Sequence, residues 1–428
     1  MNHIIGHALA RPEASPSPPS ACLRALSHAI GRTIAEDAGM YVWDRRAGRL
    51  LDAVSGLYGN TLGHAHAALA AAAHVQPGAT ADHMQAMLGA ALSSHLPLPD
   101  AQVRITSSYG TARHAMRRVV QRYWKAAGQP SRRIIIGGHE VANDPRRQLK
   151  DSRCCIPAPD WFGHDGYLNE YEFGLAAARQ LEHRIAELGA GNIAAFIATP
   201  LAGAAGLLFP PYSYWPEIER ICIRHGVLLC VDESIGSCGR AGKWFSHAHF
   251  RFTPDIVLLA QSLTSGTVPL GALALSPHIA GTLRCAGEDP RGSANVEPTA
   301  AAIALANLDA LDQGGLARHV EHDIGLYFQH CLRERFDNHP LVADIQGCGM
   351  VAALQLSPDG GRWARFDNEA AVGADCARRA LAHGVLVQSA AARILLAPPL
   401  IATHEEIDEL VERLGCAVNG TAIALAMR

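Results

Sequence analysis

An α/β fold with crossover connections is predicted by two observations in this sequence. Short apolar, β-branched runs recur along the chain, and stretches with helical spacing separate them. The runs at 133–136, 194–199, 227–232 and 255–260 read as short buried strands. Between them, 111–124 places Ala115, Met116, Val119, Val120 and Tyr123 at helical spacing, and 180–188 and 214–225 behave alike. Beyond Glu297-Pro298 an Ala/Leu-rich helix is expected over about 299–311, with another over about 315–335. The remainder reads as a smaller α+β lobe, with strands at 342–345, 350–356 and 394–396 and a last helix at 403–414. No internal repeat or low-complexity linker interrupts this order.

A chain of 428 residues suffices for one large two-lobed subunit with a substantial core. Its 49% hydrophobic and 18% charged residues are those of a globular protein. A formal net charge of −3 argues against nucleic acid or an anionic membrane as the main partner. Eleven cysteines are scattered without metal-type pairing, and the adjacent Cys154-Cys155 is a poor start for a disulfide framework. They read as reduced, mostly buried thiols of a cytoplasmic protein. The start, MNHIIGHALARPEASPSPPS, has neither a basic opening nor a long apolar run. It reads as a mobile arm over 1–29 and not as a secretory signal. No apolar stretch reaches membrane-spanning length with the right flanks, the alanine-rich tract 67–73 included.

Several blocks carry a sharper signal: YVWDRRAGRLLDAVSGLYGNTLGHAHAAL, NIAAFIATPLAGAAG, GVLLCVDESIGSCGRAGKWF, TPDIVLLAQSLTSGTVPLGALALS, VEPTAAAIALANLDAL and GVLVQSAAARILLAPPLIATHEEIDELVERL. In this order, from about residue 30 to 414, they resemble the class III aminotransferases, fold-type I enzymes that use pyridoxal phosphate. The resemblance implies a large domain with a mostly parallel seven-stranded sheet plus a smaller α+β domain. It divides the chain into a small-domain part at 30–55, the large domain at 56–305 and the C-terminal small domain at 306–428. A homodimer is implied too, because the family builds its sites across a two-fold axis.

The resemblance also locates the site, and the site has changed. Where the family has the lysine that forms the Schiff base, this chain has Gln261, between Ala260 and Ser262. A carboxamide nitrogen is not nucleophilic and cannot form that imine. It has no accessible pKa for general base work, but it can donate and accept hydrogen bonds. Asp232 matches the aspartate that pairs with the pyridine nitrogen, so it is a candidate acid, base or electrostatic anchor. The alternative is a strand-end acid satisfied by nearby backbone and Arg240.

The phosphate cup, Gly-Ser at a helix start in the family, falls on Tyr109-Gly110 within Thr106-Ser107-Ser108-Tyr109-Gly110-Thr111. A helix N-terminus with hydroxyls and glycine can hold an anion, while a tyrosine where glycine is expected crowds it. The Tyr-His-Gly whose ring stacks on the cofactor falls near Val141-Ala142-Asn143. The glutamate before proline becomes Thr199, and the arginine that meets a substrate carboxylate falls near Gln388. Ser293 keeps the hydroxyl that reaches the partner's phosphate, and Tyr58 keeps an aromatic lining the substrate pocket.

No other residue replaces the lysine convincingly. Only Lys125, Lys150 and Lys243 occur, and all three read as solvated or structural charges. His64-x-His66 and His247-x-His249 invite a metal reading, yet no third ligand has suggestive spacing, so no metal is expected. His139-Glu140 and His164-Asp165 fall where relatives build the pocket, as acid–base groups or as loop residues in solvent.

Loss of ordinary transamination is therefore expected, and two classes of function stay open. One is an enzyme that kept the pocket, dropped pyridoxal phosphate and acts on a small metabolite or biosynthetic intermediate. The other is a pseudoenzyme that senses a metabolite or supports an active paralogue. No cofactor is expected on this reading; non-covalent pyridoxal or pyridoxamine phosphate is the remaining option.

Overall fold

Seven strands form the central sheet: β1 (Gln102–Thr106), β2 (Ile134–Gly138), β3 (Cys155–Ile156), β4 (Ile193–Ala198), β5 (Leu228–Asp232), β6 (Ile256–Leu259) and β7 (Gly271–Leu275). Their order in space is β1-β7-β6-β5-β4-β2-β3. All run parallel except β7, which is antiparallel to both β6 and β1. The computed structural model describes residues 20–74, 80–138, 154–162, 164, 166–203, 206–292 and 296–426. This is fold-type I, as the sequence predicts.

The strands are apolar throughout because both faces of the sheet are covered. Alternation sends successive residues of β5 to opposite sides. Leu228 and Cys230 pack with Ala112, Met116, Val119 and Val120 of helix α1 (Tyr109–Ala126). Leu229 and Val231 belong to the larger core with Leu181, Ile185, Trp215, Ile218 and Ile221. Those residues come from the helices Glu170–Leu188 and Tyr214–His225.

The strands Ile34–Ala38, Tyr41–Asp44 and Gly48–Asp52 form a meander, and Val385–Leu386 adds to it in parallel. That pairing ties an early segment to a late one. A second antiparallel sheet joins Val342–Cys348, Val351–Leu356, Arg393–Leu396 and Gln388–Ala390.

Three helices differ from their sequence expectation. Helix Glu170–Leu188 starts well before residue 180. A reciprocal cap between Asn169 and Glu172 sets its beginning. The helix expected over 315–335 is two, Leu316–His322 and Ile324–Phe336, broken at Asp323 with φ −138° and ψ −93°. Behind the break Gly325 lies so close to the Val320 carbonyl that a Cβ would sit 2.2 Å from it. The last helix, His404–Ala426, runs past residue 414 because Ala417, Val418 and Thr421 extend its buried stripe. Among the described residues, no helix is long and apolar enough to cross a membrane.

His64 locks the meander to the turn that follows it. Its Nε2 lies 2.9 Å from Asp52 Oδ2, and its Nδ1 lies 3.3 Å from Asp37 Oδ2. Burial alone would depress its pKa, but the hydrogen bonds and charges of Asp37 and Asp52 win and push it up to about 9. The imidazolium is therefore the bound form at neutral pH. Its stabilisation is complete below the ordinary value near 6.5 and is lost as pH rises through about 9. A rise of that size is worth roughly 3 kcal/mol. Denaturant unfolding at pH 6 and pH 10 should differ accordingly, and His64→Gln should flatten the difference.

Candidate functional site at the carboxyl edge of the sheet

The carboxyl ends of β1, β2, β4, β5 and β6 meet at one edge, the place where open α/β sheets hold ligands. Val231 pairs with Ala198 and Asp232 with Leu258, so Thr199, Asp232 and Gln261 leave three adjacent strands side by side. The turn 107–110 follows β1 and starts α1 at Tyr109. Gly271 permits this seating: a Cβ there would lie 2.6 Å from the Ser108 carbonyl.

Tyr109 and Asp232 touch. The tyrosine hydroxyl donates to Asp232 Oδ2 at 2.7 Å, and the Ser234 backbone N–H donates to Oδ1 at 3.0 Å. Asp232 is 5% exposed, so these two donors answer both oxygens of a buried carboxylate. Arg240, which the sequence offers as a neighbour for Asp232, hydrogen-bonds to carbonyls of two distant segments. It is fully buried and donates to the carbonyls of Ala397 (3.1 Å), Pro398 (2.9 Å), Tyr58 (3.3 Å) and Asn60 (3.2 Å).

The helix start is closed on itself as well. Ser108 Oγ accepts from the Thr111 N–H at 3.2 Å, and Thr111 Oγ1 accepts from the Ser108 N–H at 2.9 Å. This reciprocal cap consumes two of the N–H groups that an anion would otherwise meet. Around Gly110 the surface stays open, with Ser108 Oγ 3.9 Å from where a Cβ would be.

These residues do not fit a covalently held pyridoxal phosphate. Residue 261 lacks an amine. The tyrosine also reaches from the helix start to Asp232, the residue that the resemblance gives to the cofactor ring.

Gln261 opens a short 3₁₀ turn, Gln261–Thr264, whose backbone is firmly held. Asn307 Nδ2 donates to the Ser262 and Leu263 carbonyls, each at 3.0 Å, and Ser237 Oγ meets Ser262 Oγ at 2.6 Å. Ser265 ends the turn at φ 48° and takes the Thr61 and Leu62 N–H groups on its Oγ. The half-buried Gln261 carboxamide makes no hydrogen bond among the described residues. The turn that presents residue 261 is firmly built, and it carries a carboxamide.

Tyr58 lies on an unusual backbone. Ser55, Gly56, Leu57 and Tyr58 all have positive φ, at 48°, 55°, 67° and 71°. Left-handed backbone costs a non-glycine residue about 1–2 kcal/mol, and such strain persists where the surroundings enforce it. Arg240 on the Tyr58 carbonyl and Asp52 Oδ2 on the Gly56 N–H at 2.8 Å supply that enforcement. The Tyr58 ring packs beside Leu207, Val351 and Leu395, and burial holds its phenol well above the ordinary value. Ala390 packs there too, on the strand that carries the half-buried Gln388. No hydrogen bond or ion pair among the described residues joins Gln388 to Asp232 or Gln261.

Val141 and Ser293 lie outside the described residues, as do His139, Glu140, Lys150 and Asp165. His164 stacks on Trp161 and lies tilted against Phe173. Lys125 is exposed near the far end of α1, and Lys243 pairs with Glu321. His247 Nδ1 sits 2.8 Å from the fully buried Glu233, which also accepts from the Ser246 and His247 N–H groups. Among the described residues, no three potential ligands gather as a metal would need. The Arg240 hub and the Ser237–Ser262–Asn307 support are not read from sequence, because each contact crosses long stretches of chain.

A sequence model of the class-III aminotransferases matches residues 164–418. A putrescine–pyruvate aminotransferase of Pseudomonas aeruginosa is 32% identical over 434 residues, covering 95% of each chain. A diaminobutyrate–2-oxoglutarate transaminase of Halomonas elongata is 28% identical, covering 94% of each. An omega transaminase of Pseudomonas jessenii, solved in complex with PMP, superposes with a TM-score of 0.85 at 26% identity, covering 97% of each chain.

Proposed function

The chain belongs to the class-III aminotransferase family, and from that premise we propose that it does not transaminate. Its former cofactor cleft serves a small polar metabolite without pyridoxal phosphate. The observation that carries this reading is the tyrosine hydroxyl on Asp232. In a pyridoxal enzyme that carboxylate keeps the ring electron-poor; here an internal phenol occupies it, and the neighbouring strand offers Gln261 instead of an amine. The uncommitted carboxamide of Gln261 meets the ligand as donor and acceptor. The Asp232–Tyr109 pair holds a proton between a carboxylate and a phenol, the kind of pair that can give or take one from a bound substrate. Thr199, Tyr58 and Gln388 shape the remaining wall, and a second copy of the chain completes it. The relatives are named for small amines and amino acids, which supports a ligand of that size.

A second reading, a non-catalytic pseudoenzyme, is favoured by the two internal donors that already satisfy Asp232. Non-covalent cofactor binding is the third, and the relative solved with PMP speaks for it. Calorimetric titration of the native protein with pyridoxal phosphate and with pyridoxamine phosphate tests the cofactor-independent reading. No saturable heat is expected from either; stoichiometric binding of one would overturn it. Tyr109→Phe removes one donor from a buried carboxylate and should cost about 1–3 kcal/mol of stability, read from denaturant unfolding.

A further inference from the structure

A cavity of about 350 Å³ shares no lining residue with the cleft around Asp232. Its size is at the low end for small-molecule clefts, roughly 300–1,000 Å³. Trp161, Asp344, Gln346 and Arg362 line it, with the exposed Glu170 and Arg333 also on its wall. Arg362 lies over the Trp161 ring, 3.6 Å from its centroid, and donates through Nη2 to the Trp161 carbonyl. Arg365 donates to the Phe162 carbonyl at 3.1 Å, so two loops clamp each other and the wall is built in advance.

Asp344 and Arg362 feel each other's charge, but no ion pair joins them among the described residues. Arg362 Nε is buried and has no hydrogen-bond acceptor among the described residues. Asp344 accepts from the Gln346 side-chain amide, at 2.9 Å, and from the Ile345 N–H, and it makes no ion pair among the described residues. Arg393, in the same cross-strand row through Gln355, is committed to both oxygens of Asp160, at 2.7 and 2.8 Å. A partly buried carboxylate and a partly buried guanidinium thus face one cavity, and neither is in a direct ion pair among the described residues. Leaving such groups unmatched is costly.

We propose that this cavity binds a small zwitterion of the amino-acid class. Its ammonium meets Asp344, and its carboxylate meets Arg362 Nε, with Arg333 beside it. A ligand with one charge would satisfy only one side.

Calorimetry on the full chain compares three probes: 2-aminopentanoate, pentanoate, which lacks the amine, and butylamine, which lacks the carboxylate. The zwitterion should bind at least about tenfold more tightly than either. Arg362→Met and Asp344→Asn should each weaken it by about tenfold or more, whereas Tyr109→Phe, in the other cleft, should leave it unchanged. Equal affinity for all three probes, or no binding of the zwitterion, overturns the proposal, and this comparison needs no variant to fold. Zwitterion binding that survives Arg362→Met but is lost in Tyr109→Phe also overturns it, because the ligand then sits beside Asp232.

Discussion

A Tyr109→Gly, Gln261→Lys double variant should gain the visible absorbance of an imine when mixed with pyridoxal phosphate, while the native protein and both single variants should not. The double change restores both missing elements at once. Lysine at 261 supplies the nucleophile on a turn whose backbone is already fixed by Asn307 and Ser237–Ser262. Glycine at 109 frees Asp232 and opens the helix start, where Gly110 already leaves room. Gln261→Lys alone leaves the phenol on the aspartate, and Tyr109→Gly alone leaves no amine. The expected change is from no band to a stoichiometric one. A full band in the Gln261→Lys single variant would show that the tyrosine yields readily and is not the obstacle.

The largest stability effect is expected at Arg240. Its guanidinium is fully buried and bridges carbonyls from 58–60 and 397–398, holding the left-handed turn at Tyr58 to the later chain. Arg240→Met keeps much of the volume and removes every donor. Several buried carbonyls then lose partners together, which should cost about 4 kcal/mol. Arg240→Lys should not rescue it, because one ammonium cannot match a planar fork that reaches carbonyls on two segments. Urea unfolding reads both, and a loss below about 1 kcal/mol in the Met variant would mean that the hub is dispensable.

The fold was legible because its signals are local. Continuous apolar runs marked β4, β5 and β6, and the spacing of Met116, Val119, Val120 and Tyr123 marked the helix that covers them. The break at Asp323 is not legible in the spacing; beside it Gly325 packs on the Val320 carbonyl, a contact that no periodicity shows. The last helix, expected to stop at 414, runs on through Gly415 to Ala426. In the structure that glycine admits Arg335, whose Nε lies 2.5 Å from where a Cβ would be.

At the site, the sequence placed Asp232, Gln261 and Tyr109 near one another through the family resemblance. It gave no hint that the tyrosine would bond the aspartate, a contact across 123 residues. The sequence offers Arg240 as a neighbour of Asp232; the hydrogen bonds it makes to carbonyls distant along the chain are not legible there.

The central claim is that no side chain here forms an imine with pyridoxal phosphate at a defined site. The direct measurement is borohydride reduction of the native protein after incubation with pyridoxal phosphate, followed by intact mass and peptide mapping. Only Lys125, Lys150 and Lys243 could carry a stable side-chain adduct. The account predicts no stoichiometric addition at any of them. One pyridoxyl group per chain on a single lysine would contradict it.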